Sequence, residues 1–276
     1  AIDAARPIDH LSGADGVRPG DLNGDGHVDF VTGWEEGKSV RVALNPGPEE
    51  ATAPWETITI AKVDSAEDAV FVDLDNDGHL DVVSSTEGKQ RSVFVSWAPS
   101  DRAELLTESA WKTEVVPSTR NRQWWMYCLP VDVDQDGDMD LILGSKNAGA
   151  SITWLENPGP ENARTLTEWK THRLFDVGWI MSLRLLEEDE KRFLVFSDRK
   201  GLHSGIHLVP LLDRAPWFGK PVCVAAPGEE VMFLDLAHLD DDDKLDIVAA
   251  IRPRRLAVFY QPENRLSAWE NRADLE

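Results

Sequence analysis

Short apolar runs recur along the chain, and each is bounded by polar or acidic turns. The second copy shows the unit most clearly. Ala69–Asp73 reads as a first strand, Leu80–Ser84 as a second, Ser92–Trp97 as a third and Trp111–Val116 as a fourth. Runs this short, rich in Val, Ile and aromatic residues and separated by turn residues, predict antiparallel strands.

The unit repeats. Acidic stretches Asp21–Asp29, Asp73–Asp81 and Asp132–Asp140 each precede a second-strand run, and their closing aspartates are 52 and 59 residues apart. That period predicts equivalents near 193 and 246. The stretch His238–Asp246 is a decayed copy with acids at its third, fifth and ninth positions. Leu185–Phe193 keeps only the strand. Trp55, Trp111, Trp169, Trp217 and Trp269 mark the same count, one per repeat before or within the fourth strand, and predict packing between repeat units. Five repeats of about 50–59 residues with four strands each predict an all-β, five-bladed β-propeller of four-stranded antiparallel blades, as one domain over residues 1–276. A β-solenoid is the rival, but its repeats carry fewer strands. The orphan run Pro7–Leu11 is expected to supply the outer strand of the last blade and so close the ring; the alternative is 270–276.

The acidic stretches have the chemistry of a hard-cation loop. Asp21, Asn23 and Asp25, then Asp73, Asp75 and Asp77, then Asp132, Asp134 and Asp136 place oxygens at alternate positions. A glycine at the sixth position permits the reversal. His27, His79 and Asp138 can offer backbone carbonyls, and Asp29, Asp81 and Asp140 close the set. The opening is that of an EF-hand, but the twelfth position holds Thr32, Ser84 or Leu143 in place of the bidentate Glu, and strands follow instead of helices. About three calcium sites are expected, with a fourth candidate at Asp240, Asp242 and Asp246.

Composition sharpens this picture. The net charge is −22, and the three loops hold twelve of the acids, so three Ca²⁺ ions would bring the balance to about −16. Nucleic acid is excluded as a partner because its backbone demands a basic face. No apolar run is long enough for a membrane helix. Cys128 and Cys223 both lie in apolar runs and are expected to be buried thiols. Loops of this kind fill at the calcium levels found outside the cytoplasm, so an extracellular or periplasmic setting is expected. Ala1–Arg6 does not have the make-up of a signal peptide, which fits a leader already removed. Oligomeric state is not legible.

The Asp-x-Asp-x-Asp-Gly-x-x-Asp loops with their following apolar pairs resemble FG-GAP/VCBS repeats, the calcium-loop propeller repeats of integrin α heads and secreted bacterial proteins. Ser151–Gly159, ending Asn-Pro-Gly, resembles the third-strand ending of bacterial members. The resemblance implies the propeller fold and calcium. It does not imply an activity, since the scaffold hosts adhesion modules, lectin-like binders and enzymes.

Function is expected where the repeats stop agreeing, in the loops joining strands two to three and four to one. There the copies carry different residue types. The acids Glu35, Glu36, Glu67, Asp68, Glu87, Glu229 and Glu230 are candidate catalytic carboxylates for glycoside hydrolysis or a lyase reaction. Trp34, Trp125 and Trp179 are candidates to stack on a sugar, with Lys146, Asp198, Arg199, Lys200 and Arg252 as polar ligand contacts. A glycan or other small molecule is the expected ligand. The enzyme reading stands against that of a non-catalytic binding or adhesion module. His203 and His207, four apart, would mark a zinc pair only on a helix, and they lie between predicted strands.

Overall fold

A computed structural model describes residues 13–275, with side chains through Asn271. The described residues fold into five four-stranded antiparallel sheets, each built from strands consecutive in sequence. The first holds β1 (Ala14–Gly20), β2 (Asp29–Trp34), β3 (Ser39–Leu44) and β4 (Glu56–Ala61). The second holds β5 (Ala66–Val72), β6 (Asp81–Thr86), β7 (Val93–Trp97) and β8 (Lys112–Val115). The third holds β9 (Trp124–Val131), β10 (Asp140–Lys146), β11 (Ser151–Glu156) and β12 (Lys170–Asp176). The fourth holds β13 (Ile180–Glu188), β14 (Lys191–Asp198), β15 (Gly205–Leu211) and β16 (Val222–Ala225). The fifth holds β17 (Val231–Ala237), β18 (Asp246–Ile251), β19 (Arg255–Tyr260) and β20 (Glu270–Leu275). Among the described residues no helix is long and apolar enough to cross a membrane.

The described residues fall into two compact units. One holds the first two sheets and runs to Arg122. The other begins at Gln123, holds the last three sheets, and includes Leu74–Asp77 of the second acidic stretch. In the first unit Val31, Val42, Ala69, Phe71 and Val82 make one apolar core with Leu105 and Trp111. In the second, Ile142, Ile152, Leu183, Leu194 and Val209 form a core spanning the third and fourth sheets. Val195, Leu208, Leu234, Ile247 and Ala257 form another spanning the fourth and fifth. The middle strands read as continuous apolar runs because they are buried on both faces, as in β10, where every residue is buried.

The repeated tryptophans anchor the connections between strands three and four. The indole N–H donates to a carbonyl upstream in four copies: Trp55 to Ala51 (3.2 Å), Trp111 to Leu105 (3.0 Å), Trp169 to Ala163 (2.8 Å) and Trp269 to Arg265 (2.9 Å). Such a bond satisfies the polar edge of a ring whose body is buried. In the fourth copy Trp217 is half-buried at φ +56°, and the neighbouring Phe218 takes the core position.

Among the described residues the outermost strand of the fifth sheet is β20, paired with β19 from Leu256–Leu275 to Tyr260–Glu270, as in the alternative with a strand at 270–276. Trp269 is anchored like its counterparts, so the chain continues from it into a fourth strand as in the other copies. Pro7–Leu11 itself lies outside the described residues. Neither cysteine is in a disulfide, and while Cys128 is fully buried, Cys223 is exposed, because its strand β16 forms the outer edge of the fourth sheet.

Candidate functional site

The acidic loops join strands one and two of the first three sheets, and their geometry follows from their spacing. The apolar second residues, Leu22, Leu74 and Val133, are buried and pin each loop to its sheet. The sixth-position glycines sit at φ +86°, +83° and +96°, where a side chain would be strained. Their N–H groups donate to the first aspartate: Gly26 to Asp21 (3.0 Å), Gly78 to Asp73 (2.9 Å) and Gly137 to Asp132 (3.1 Å).

The closing aspartates have a second task. Asp29 accepts from the amides of Leu22 and Asn45, both at 2.8 Å. Asp140 accepts from Val133 (3.1 Å) and Asn157 (2.7 Å), and Asp246 from Leu239 (3.2 Å) and Gln261 (2.9 Å). Each therefore clamps its loop to the end of strand three. Burial nevertheless pushes the Asp140 carboxyl up to about 7, outweighing the two amides.

The donor sets of the second and third loops fit a hard cation. One oxygen each from Asp73, Asp75 and Asp77, and one each from Asp132, Asp134 and Asp136, lie within 4.8 Å of one another. Oδ1 of Asp132 and Oδ1 of Asp75 are buried without a hydrogen-bond partner, a costly state that a bound cation would relieve. Burial, then the charges of Asp136 and Asp132, raises the Asp134 and Asp138 carboxyls above the usual range. The first loop is less acidic. Asn23 donates to Asp25 (2.9 Å), and the His27 N–H on Asp25 contributes most to holding that carboxyl low.

The two remaining copies depart from this design. In the fourth, β13 turns into β14 through Asp189 and Glu190, both at positive φ, a tight hairpin with no room for an ion. In the fifth, Lys244 stands at the seventh position and places its ammonium 3.1 Å from Asp242 and 2.9 Å from Glu263. Asp243 takes the glycine's left-handed conformation at φ +60°.

Arginines near the loops are contacts that sequence reasoning missed. Arg102 donates to the carbonyls of Asn23 (2.7 Å) and Gly78 (3.2 Å). Arg164 pairs with Asp75 and with Asp77 (3.2 Å). Arg265 pairs with Glu188 and Asp189, both at 2.8 Å. Each lies in a strand three-to-four connection shortly before its tryptophan, a regularity visible in the sequence.

At the opposite strand ends, one position is structurally equivalent across copies: the sixth after the closing aspartate. It holds Glu35, Glu87, Lys146 and Arg252. Its backbone is fixed alike in three copies, with Glu35 N–H on the Gly13 carbonyl (2.7 Å), Glu87 on Ser65 (3.0 Å) and Arg252 on Glu230 (3.0 Å). One position thus carries acid in the first two sheets and base in the later ones.

In the first unit Glu35, Glu67 and Glu87 come together, one oxygen from each within 4.8 Å of the others. All three are half-buried, and they come from separate loops or strand ends. Glu36 is exposed beside Gly13. Asp68 is buried and paired with Arg18, which donates to both its oxygens at 3.0 and 2.9 Å. Trp34 donates its indole N–H to Thr32 (2.7 Å).

In the second unit Lys146, Trp179, Arg199 and Lys200 come together. Nζ of Lys146 lies 4.8 Å from the Trp179 ring centroid, the Arg199 guanidinium carbon 4.5 Å and Nζ of Lys200 4.7 Å. The backbone around Trp179 explains this. It bridges Lys146 on one side, and its carbonyl accepts the Arg199 N–H (2.8 Å) on the other. Buried Asp198 fixes the turn by accepting the amides of Gly178 (2.9 Å) and Trp179 (2.8 Å). Gly178 is required there, because a Cβ would stand 1.6 Å from the Lys200 carbonyl oxygen. Glu229 pairs with Arg255, and Glu230 with Arg199 (3.2 Å) and Arg252 (3.7 Å), so neither stands as an isolated acid. Trp125 is 2% exposed, leaving its ring no open face for a ligand.

Four-stranded meander sheets with an acidic loop between strands one and two define the blade type of β-propeller repeat proteins. Residues 8–84 match the family model described as FG-GAP-like repeat, a span that takes in the first sheet and, in the second, its first strand and acidic loop. A search of curated proteins found no match to the chain.

Proposed function

We propose that this chain is a calcium-stabilised, extracytoplasmic ligand-binding module that takes a carbohydrate at the loops joining strands two to three and four to one. The FG-GAP-like match supports the binding or adhesion class. The observation carrying the ligand reading is the convergence of Glu35, Glu67 and Glu87 from different loops. Carboxylates at that spacing accept several hydroxyls of one sugar ring. Glu229, Glu230 and Asp68 are assigned to ion pairs in this reading, not to catalysis.

The test is a screen of neutral and acidic glycans for binding and turnover, in calcium and after chelation. The expected result is binding that Glu67→Gln weakens by about tenfold or more, the loss of a charged hydrogen bond. Turnover abolished by Glu67→Gln or Glu87→Gln adds the hydrolase activity. Binding without turnover leaves the adhesion or lectin-like module. No glycan bound in either condition overturns the carbohydrate reading.

The same spacing favours a second reading, a divalent cation held by the triad. Its mark is a calcium stoichiometry that falls by one in Glu87→Gln.

A further inference from the structure

The arginines of the strand three-to-four connections form a graded series. Arg102 donates to main-chain carbonyls, those of Asn23 and Gly78. Arg164 instead reaches side chains, with Nε on Oδ2 of Asp75 and a terminal nitrogen 3.2 Å from Oδ2 of Asp77. Arg265 pairs with Glu188 and Asp189, in the copy whose tight hairpin has no room for an ion. The same connection thus delivers a fixed positive charge to the acids between strands one and two, and in the copy without a cation loop the arginine pairs with the acids that remain. The second loop lies between these extremes. The Asp75 side chain is 8% exposed; its Oδ2 meets Arg164, and its Oδ1 is buried without a hydrogen-bond partner. The carboxylate is divided, one oxygen on the guanidinium and the other suited to a cation. The third loop differs. Arg192 donates to the Asp132 main-chain carbonyl, and among the described residues Asp132, Asp134 and Asp136 form no ion pair with a lysine or arginine. The affinity of such loops follows the charge of the ligand set, and an arginine keeps its proton throughout the working pH range.

We propose that Arg164 sets the calcium affinity of the second acidic loop. Its charge, shared with Asp75 and Asp77, repels a divalent ion drawn to the same carboxylates, so the second loop fills at higher calcium than the third. Arg164 also orients Asp75, which taken alone would favour the ion. Burial already holds that side chain, though, and the neighbouring Leu74 carbonyl is pinned by the Asn157 amide (2.8 Å), so charge decides. Between the two midpoints the third loop is loaded and the second is not, and the chain answers calcium in two steps. The inference rests on the calcium reading of the loops and adds which of the two fills first, and why.

The experiment is a calcium titration of the chelated protein, followed at the backbone amides of Gly78 and Gly137, which donate to the first aspartate of the second and third loops. Both resonances are expected to shift saturably, with the Gly78 midpoint about tenfold higher. Arg164→Gln, at a half-exposed side chain, lowers the Gly78 midpoint by about tenfold and leaves that of Gly137 in place, which also shows that the variant is folded. Arg164→Lys keeps the charge and lowers the Gly78 midpoint by less. Equal midpoints in the native protein overturn the proposal while the calcium reading stands. So does a Gly78 midpoint unmoved or raised in Arg164→Gln, or lowered as much by Arg164→Lys. No saturable shift at either glycine overturns the proposal and the calcium reading together.

Discussion

At the scale of single residues, the closing aspartates do more than the ligand pattern implies. Asp29 is fully buried, and both of its oxygens accept main-chain N–H groups. Asp29→Ala strands two buried amides at once. It is expected to cost about 3 kcal/mol, measured as a lower urea midpoint with calcium absent and present alike. A second prediction concerns His207, which is 6% exposed and stacked on Phe196 at 4.8 Å. Burial pushes its imidazolium below the usual histidine range. The folded state thus binds this proton less readily than the unfolded chain. Stability from this group is full above the unfolded value near 6.5 and is lost as pH falls through the lower folded value. Urea denaturation at pH 7.5 and 5.5 is expected to show a drop in the native protein that is smaller in His207→Phe. What the sequence did not show at this scale is which acids meet one another. Glu67 and Asp68 are adjacent and alike in sequence, yet Glu67 joins the triad while Asp68 turns inward to Arg18. A register shift in β5 between Ala66 and Asp68 falls at Glu67, and the arginine that pairs with Asp68 is 50 residues away.

At the scale of elements, most of the fold was legible because each signal occurs once per repeat. The acidic stretch, the apolar run after it and the tryptophan before strand four each fixed a place in the same meander. The element with the weakest signal was the fourth strand of the last sheet, where Glu270–Leu275 is polar and acidic and carries little of the apolar signal that marks inner strands. An edge strand needs no such signal, since one side faces solvent. The acidic loops also divide by element. The second and third offer clustered carboxylates, those of the second also met by Arg164; the fourth copy is a tight hairpin, and the fifth has lost the glycine and carries Lys244 within the loop. Amide hydrogen exchange after chelation is therefore expected to accelerate in Asp73–Asp81 and Asp132–Asp140, while Glu188–Lys191 and Asp240–Asp246 keep their calcium-form rates. Equal acceleration in all of them would contradict this division.

At the scale of the whole molecule, the pattern of charge is the organising fact. The chain carries 50 acidic and 28 basic side chains. Repulsion of that size disfavours the compact state unless counter-ions bind, and the clustered loops are where divalent ions neutralise most charge per site. The most direct measurement is a thermal melt of chelated protein, repeated as calcium is added back. The account predicts a melting temperature that rises with calcium and levels off as the loops fill, with the rise reduced in Asp132→Ala. A melting temperature unchanged by calcium would contradict it.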